Sequence, residues 1–159
     1  EEIAATEAVC LHSAVYGCQA AFRHMKAGGG AIVNVASLAA RCGTAGRSTL
    51  YGPLKAAVAQ LSVMLAAEYA AYGIRVNTVL PGFTLTPAVR RHISAGELAR
   101  RNAGTLLRRA AEPEEIAEPI VFLCSAGASY ITAASLEISG GNSVVLNPSF
   151  SYEQRKKGR

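Results

Sequence analysis

The sequence predicts an α/β fold on a doubly wound parallel sheet, incomplete, with about three strands of one half and their flanking helices. Three observations carry this prediction. Short aliphatic runs at 31–36, 74–80 and 135–138 alternate with longer stretches at helical spacing. The first run, Ala31-Ile32-Val33-Asn34-Val35-Ala36, is nearly continuous in apolar residues, the habit of a parallel strand buried on both faces. Glycine or proline punctuates each run: Gly28-Gly29-Gly30 before the first, Gly73 before and Pro81-Gly82 after the second, Gly140-Gly141 after the third.

The elements follow in order. From about Ile3 to Lys26, small apolar and polar residues at helical spacing predict a packed helix that stops at the three glycines. After the first strand, Arg41 to Ser48 reads as a loop. Tyr51 to Tyr72 is an Ala-rich helix with Pro53 in its first turn and Gly73 at its end. Ile74 to Leu80 is the second strand. Pro87 to Arg109 is polar and Arg-rich, an excursion with one or two short helices at the position of a lid. Glu112-Pro113-Glu114-Glu115 opens a helix to about Cys124, its carboxylates favourable to the dipole and Pro119 distorting its first turns. Ser135 to Ile138 is the third strand. Residues 1–148 thus read as one catalytic and substrate-binding half of a larger domain, and 149–159 as a basic, disordered tail.

Composition narrows the function. A chain of 159 residues, half of them apolar, supports one domain, and with 6% aromatic residues and no Trp its core is aliphatic. All 11 acidic residues are Glu, which removes Asp-dependent chemistry such as an aspartic dyad, a Ser-His-Asp triad or an EF-hand loop. The chain opens on Glu1-Glu2 without Met, as expected of a processed chain or a piece of a longer one. Much of the net charge of +5 sits in the tail, where Arg155, Lys156, Lys157 and Arg159 face only Glu153. No membrane span, signal peptide or nucleic-acid partner is expected. Cys10, Cys18, Cys42 and Cys124 form no Cys-x-x-Cys pair and read as thiols of a reducing, cytoplasmic compartment. His12, His24 and His92 are scattered, so no metal site is expected.

The chemistry-bearing residues cluster at strand ends. Tyr51 and Lys55 lie four apart, one helical turn on the same face. An ammonium within about 4 Å of a phenol favours the phenolate by roughly 1 to 4 kcal/mol, the condition for a general acid/base near neutral pH. Tyr152 and Lys156 repeat the spacing in the tail, among charges and with nothing to desolvate the phenol. Ser37 follows the first strand at its carboxyl end, where open α/β sheets place ligands; it either donates to a substrate oxygen or merely caps the loop. Pro81-Gly82-Phe83-Thr84-Leu85-Thr86 leaves the second strand at the same rim, as a ligand-facing segment or a plain turn.

Together these residues resemble the short-chain dehydrogenase/reductase family. The matching elements are Ile32 to Ser37, Tyr51-x-x-x-Lys55, Gly73 to Asn77 with Pro81-Gly82 and Thr86, Arg109 with Glu112 to Ala117, Phe122-Leu123, Ser129 to Thr132 and Gly140-Gly141. The resemblance runs from about residue 1 to 145 and implies a Rossmann-like sheet and an NAD- or NADP-dependent oxidoreductase that interconverts an alcohol and a carbonyl by hydride transfer. It implies Tyr51 as acid/base, Lys55 lowering its pKa and holding the nicotinamide ribose, and Ser37 orienting the substrate oxygen. Pro81, Gly82, Thr84 and Thr86 would face the nicotinamide. The family's glycine-rich phosphate turn has no counterpart here. Cys10 stands where the family's proton relay has Asn, Ser139 where Asp is usual, and the Ser37-to-Tyr51 interval is one residue longer, which a looser 41–48 loop absorbs.

Two further features each admit two roles. Arg90-Arg91, Arg100-Arg101 and Arg108-Arg109 are either solvated or draw an anionic substrate to the cleft. Ala56, Ala59, Ala66 and Ala70 form a small-residue face that is core in an isolated domain and a subunit interface in this family, implying a homodimer or homotetramer. The competing function is a truncated or diverged, non-catalytic remnant acting through oligomerisation. A nucleic-acid module working through the basic tail ranks last, because the rest of the chain is nearly balanced in charge.

Overall fold

The three aliphatic runs pair into one parallel sheet in the order β1 (Gly30–Val35), β2 (Ile74–Pro81), β3 (Ser135–Ile138). The computed structural model describes residues 2–43, 49–142 and 144–157. Register runs from Gly30 opposite Ile74 to Val35 opposite Val79, and from Thr78 opposite Ser135 to Pro81 opposite Ile138. All three carboxyl ends therefore share one rim.

The helices are α1 (Glu2–Glu7), α2 (Ser13–Met25), α3 (Tyr51–Tyr69), α4 (Pro87–His92), α5 (Ala95–Ala103), α6 (Pro113–Cys124) and α7 (Phe150–Lys156). Alternation along β2 divides the core into two faces. Ile74, Val76 and Leu80 meet α2 and α3, with Cys18, Val58, Ala66 and Tyr69, while Val79 meets Leu123 and Ala128 on the α6 side. Val76 and Val79 have no exposed surface, and each such burial contributes about 1.5–3 kcal/mol. β1 departs from expectation. Ile32 and Asn34 are buried, but Ala31 and Val33 are only half-buried and Val35 is exposed, and among the described residues β1 has a sheet partner on one side only.

Side chains lock the layers at their ends. Arg75 on β2 donates to the carbonyls of Leu123 (2.8 Å), Ser125 (3.1 Å) and Ile131 (3.1 Å), closing the open end of α6. Asn77 donates to Ile131 O at 2.8 Å and accepts from Ala134 N at 3.0 Å, which leads the chain into β3. At the front of α6, Glu112 and Glu115 form a capping box, and the helix continues through Pro119 to Cys124.

Three expectations change. The amino-terminal helix is not uniform: Ala8–His12 forms a π-helical turn between α1 and α2. The small-residue face of α3 is divided: Ala66 is buried in the core with Ile32, Ala56 and Ala59 are half-buried and Ala70 is exposed, while Val63 and Met64 face outward. The tail, expected disordered, is helical from Phe150 to Lys156. It holds because Tyr152 Oη donates to Leu106 O at 2.7 Å and Arg108 reaches Ser149 Oγ at 2.7 Å with its guanidinium 4.8 Å from the Tyr152 ring. The 41–48 loop is described as far as Gly43; 44–48 lie outside the described residues, as do 158–159 of the tail. Among the described residues no helix is long and apolar enough to cross a membrane.

Candidate functional site

β1 delivers its chain end to the rim, and Ser37 follows in extended conformation as the cap of a short 3-10 turn, Leu38–Ala40. Its Oγ accepts from Ala39 N at 3.2 Å, so the capping role is real. A hydroxyl that accepts one bond still has its own proton to donate. α3, which packs on that turn, begins with Tyr51, which is 39% exposed.

Gly52 explains how closely α3 approaches that turn. A Cβ there would stand 2.8 Å from the Ala39 carbonyl oxygen, so only glycine lets the first turn of α3 rest on the turn that Ser37 caps. The sequence reading passed over Gly52. A backbone contact leaves no side-chain pattern to notice.

Lys55, one turn along α3, places Nζ 5.8 Å from the centre of the Tyr51 ring and donates to Val35 O at 3.0 Å. The ammonium is thus fixed by a backbone acceptor on the free edge of β1, two residues before Ser37. That acceptor was also not foreseen. Beneath the site Ala36, Val58 and Leu80 form a buried apolar floor, with Leu11 of the π-helical turn packed against it. Cys10 belongs to that same turn, which lies against α3.

The second strand supplies the far wall. Gly82 N donates to Ile138 O at 2.9 Å, and a Cβ on Gly82 would come within 2.8 Å of Ser139 Cα, so Pro81-Gly82 lies tight against the end of β3. Thr84 bridges to Ala111, and its Oγ1 donates to Gly82 O at 3.3 Å. Thr86 caps α4, its Oγ1 accepting from Val89 N at 3.3 Å. Ser37, Tyr51 and Lys55 therefore share one end of the sheet with Pro81, Gly82, Thr84 and Thr86, the last two engaged in backbone contacts.

The lid arginines are mostly paired. Arg90 bonds Glu112, and Glu97 takes both Arg100 and Arg101, the latter at 2.7 Å. Arg101 also stacks 4.6 Å from the Phe83 ring. Arg109 grips Glu115 through two bonds of 2.5 and 2.6 Å, which with the Glu112 N–H holds the Glu115 carboxyl at about 2, well below its ordinary 4.5. Four of the six arginines at 90, 91, 100, 101, 108 and 109 thus share three carboxylates, Glu97, Glu112 and Glu115, which offsets half of their charge. A recess of about 470 Å³ along Glu115, Glu118, Pro119 and Phe122 of α6 contains none of Ser37, Tyr51 and Lys55. Among the described residues no group of His, Cys and Glu is arranged to hold a metal.

A family model described as Enoyl-(Acyl carrier protein) reductase matches residues 1–143. The chain belongs to the short-chain dehydrogenase/reductase family. Within the family it is 46% identical over 129 residues to a cis-4-hydroxycyclohexanecarboxylate dehydrogenase of Sinomonas cyclohexanicum, covering 79% of this chain and 50% of that one. It is 40% identical over 135 residues to a 3-oxoacyl-acyl-carrier-protein reductase of Chlamydia pneumoniae, covering 82% and 52%. Among solved structures, a 7 alpha-hydroxysteroid dehydrogenase complexed with NADH and 7-oxo glycochenodeoxycholic acid superposes with a TM-score of 0.77 at 33% identity, covering 86% of this chain and 53% of that one. The chain spans about half the length of the short-chain dehydrogenase/reductase relatives it matches.

Proposed function

We propose that this chain carries the catalytic and substrate-binding half of an NAD- or NADP-dependent oxidoreductase that interconverts an alcohol and a carbonyl. The observation that carries it is the placement of Tyr51 and Lys55 on one turn of α3, with Lys55 tied to Val35 O and Ser37 two residues beyond that carbonyl. The donors at the rim suit one end of the cofactor. Hydroxyls of Tyr51, Ser37 and Thr84, the Lys55 ammonium and the Pro81-Gly82 backbone match a ribose and a neutral carboxamide; the sequence holds no Gly-x-Gly-x-x-Gly turn for the phosphates. When bound, the nicotinamide supplies or takes the hydride.

In the reducing direction Ser37 Oγ donates a hydrogen bond to the substrate oxygen, fixing it beside Tyr51. Tyr51 Oη gives its proton to that oxygen as the alcohol forms, and the Lys55 charge stabilises the phenolate left behind. Oxidation runs the same proton back. Cys10 stands at the family's relay position with a thiol in place of the side-chain amide, which leaves only the backbone carbonyl of that turn to take the relay's part. The substrate is a small alcohol or carbonyl compound, and outward-facing Val63 and Met64 on α3 favour a homodimer or homotetramer.

Tyr51→Phe abolishes NADH- or NADPH-dependent reduction of a ketone panel while leaving the melting temperature unchanged; a variant as active as the parent overturns the assignment. Cys10 in the relay position favours a second reading, a non-catalytic remnant acting through self-association. Calorimetric titration with NADH and NADPH separates the two, since micromolar binding is incompatible with the remnant.

A further inference from the structure

A polar cluster lies buried between three elements on the α3 side of the sheet. Asn34 of β1 donates through Nδ2 to Ser62 Oγ of α3 at 2.8 Å, and Ser62 Oγ in turn donates to Val58 O at 2.9 Å. Cys18 of α2 lies 3.5 Å from Asn34 Oδ1 and 3.4 Å from Nδ2. Ser62 and Cys18 are 1% and 2% exposed, and Asn34 is 8% exposed. Burying an amide in an aliphatic core carries a desolvation penalty that an apolar residue would not.

The composition of α3 shows what the cluster supplies. The helix is apolar round nearly its whole circumference, including Ala56, Ala57, Val58, Leu61, Val63, Met64, Leu65, Ala66 and Ala67. Hydrophobic burial alone then discriminates weakly between rotations of the helix about its axis. A buried directional bond does discriminate, as a polar residue does in an otherwise apolar coiled-coil seam.

Ser62 follows Lys55 by seven residues, about two turns, so both project from nearly the same line along α3. Their partners are consecutive on β1: Asn34 for Ser62, and the carbonyl of Val35 for Lys55. One contact would leave the helix free to pivot. Two contacts from one stripe to adjacent strand residues fix rotation and height together.

We propose that Asn34 and Ser62 are positioning residues, whose buried hydrogen bond sets the rotation of α3 and so holds Lys55 on Val35 O. The catalytic meaning of that placement rests on the function proposed above; the placement itself does not.

The test reads the position of Lys55 directly, by its acylation rate with a water-soluble succinimidyl ester, measured by mass spectrometry against exposed Lys26. Ser62→Ala, which keeps a good helix former, raises the Lys55 rate by about two- to tenfold, the range of one hydrogen bond's contribution. Asn34→Val with Ser62→Ala, which leaves no buried polar group unpaired, gives the same rise with a cooperative melt, and Ser62→Thr keeps the original rate. Unchanged Lys55 labelling in Ser62→Ala overturns the proposal whatever the double variant does. Turnover is read in the same proteins: kcat falls at constant KM in Ser62→Ala and recovers in Ser62→Thr. If the parent chain reduces no ketone, the functional reading fails while the labelling still decides the positioning role.

Discussion

Replacing Gly52 with Ala asks whether the close approach of α3 to the Ser37 turn governs this end of the protein. In a helix, Gly→Ala is expected to stabilise by about 0.8–1 kcal/mol. At position 52 the added Cβ would lie 2.8 Å from the Ala39 carbonyl oxygen, against at least 3.4 Å for an ordinary contact, so one backbone must retreat by about 0.6 Å. Overpacking of this kind costs about 1–3 kcal/mol, which outweighs the propensity gain. For a chain of this size each kcal/mol shifts the melting temperature by roughly 2–4 °C. Gly52→Ala therefore lowers it by up to about 8 °C. Gly17, in α2 with nothing within 4 Å of a built Cβ, is the internal control: the same change there raises it by about 2–4 °C. Both variants are followed by circular dichroism and urea denaturation. A Gly52→Ala protein as stabilised as Gly17→Ala would refute the claimed contact and with it the reason that Ser37 and Tyr51 share a rim.

Other substitutions test the supports of the site. The Glu115 carboxyl, held at about 2, contributes stability that is present above its ordinary value of 4.5 and is lost as the pH falls towards 2; the melting difference between the parent and Glu115→Gln accordingly shrinks across that window. Ser94 caps α5 by accepting from Glu97 N at 3.2 Å, and Ser94→Ala costs about 1 kcal/mol in urea denaturation. Tyr152→Phe removes the bond to Leu106 O and speeds tryptic cleavage within Arg155 to Lys157, with little change in the global melt, because α7 contributes no buried residue.

The strands were legible because burial and punctuation coincide. Gly30, Gly73 and the pair Pro81-Gly82 bracket runs that are mainly aliphatic, and β1, β2 and β3 fall within a residue of the expected limits. Tyr51 and Lys55 were legible because helical spacing alone puts them on one face. What escaped has a common cause. The partner of Lys55 is a backbone carbonyl, the neighbour of Gly52 is another, and carbonyls are the same at every residue. The π-helical turn passes unseen since the mixed run Ala8 to Ala14 fits either helical period. The order of α7 depends on Leu106 and Arg108, some forty residues away in sequence, which the local charge of the tail conceals.

The π-helical turn at Ala8–His12 makes the amino-terminal helix one residue longer than a regular path between the same two ends would need. Removing a residue inside that turn would restore regular winding and leave α2 in its seat on the sheet. Removing one within α2 would swing every preceding side chain by about 100°. Since α1 buries nothing, the strand-facing part of this helix is insulated from length changes upstream. The chain thus carries its slack at a turn that lies against α3 and packs Leu11 on the floor of Ala36, Val58 and Leu80, so tightening that turn moves Leu11 on the floor while α2 keeps its seat.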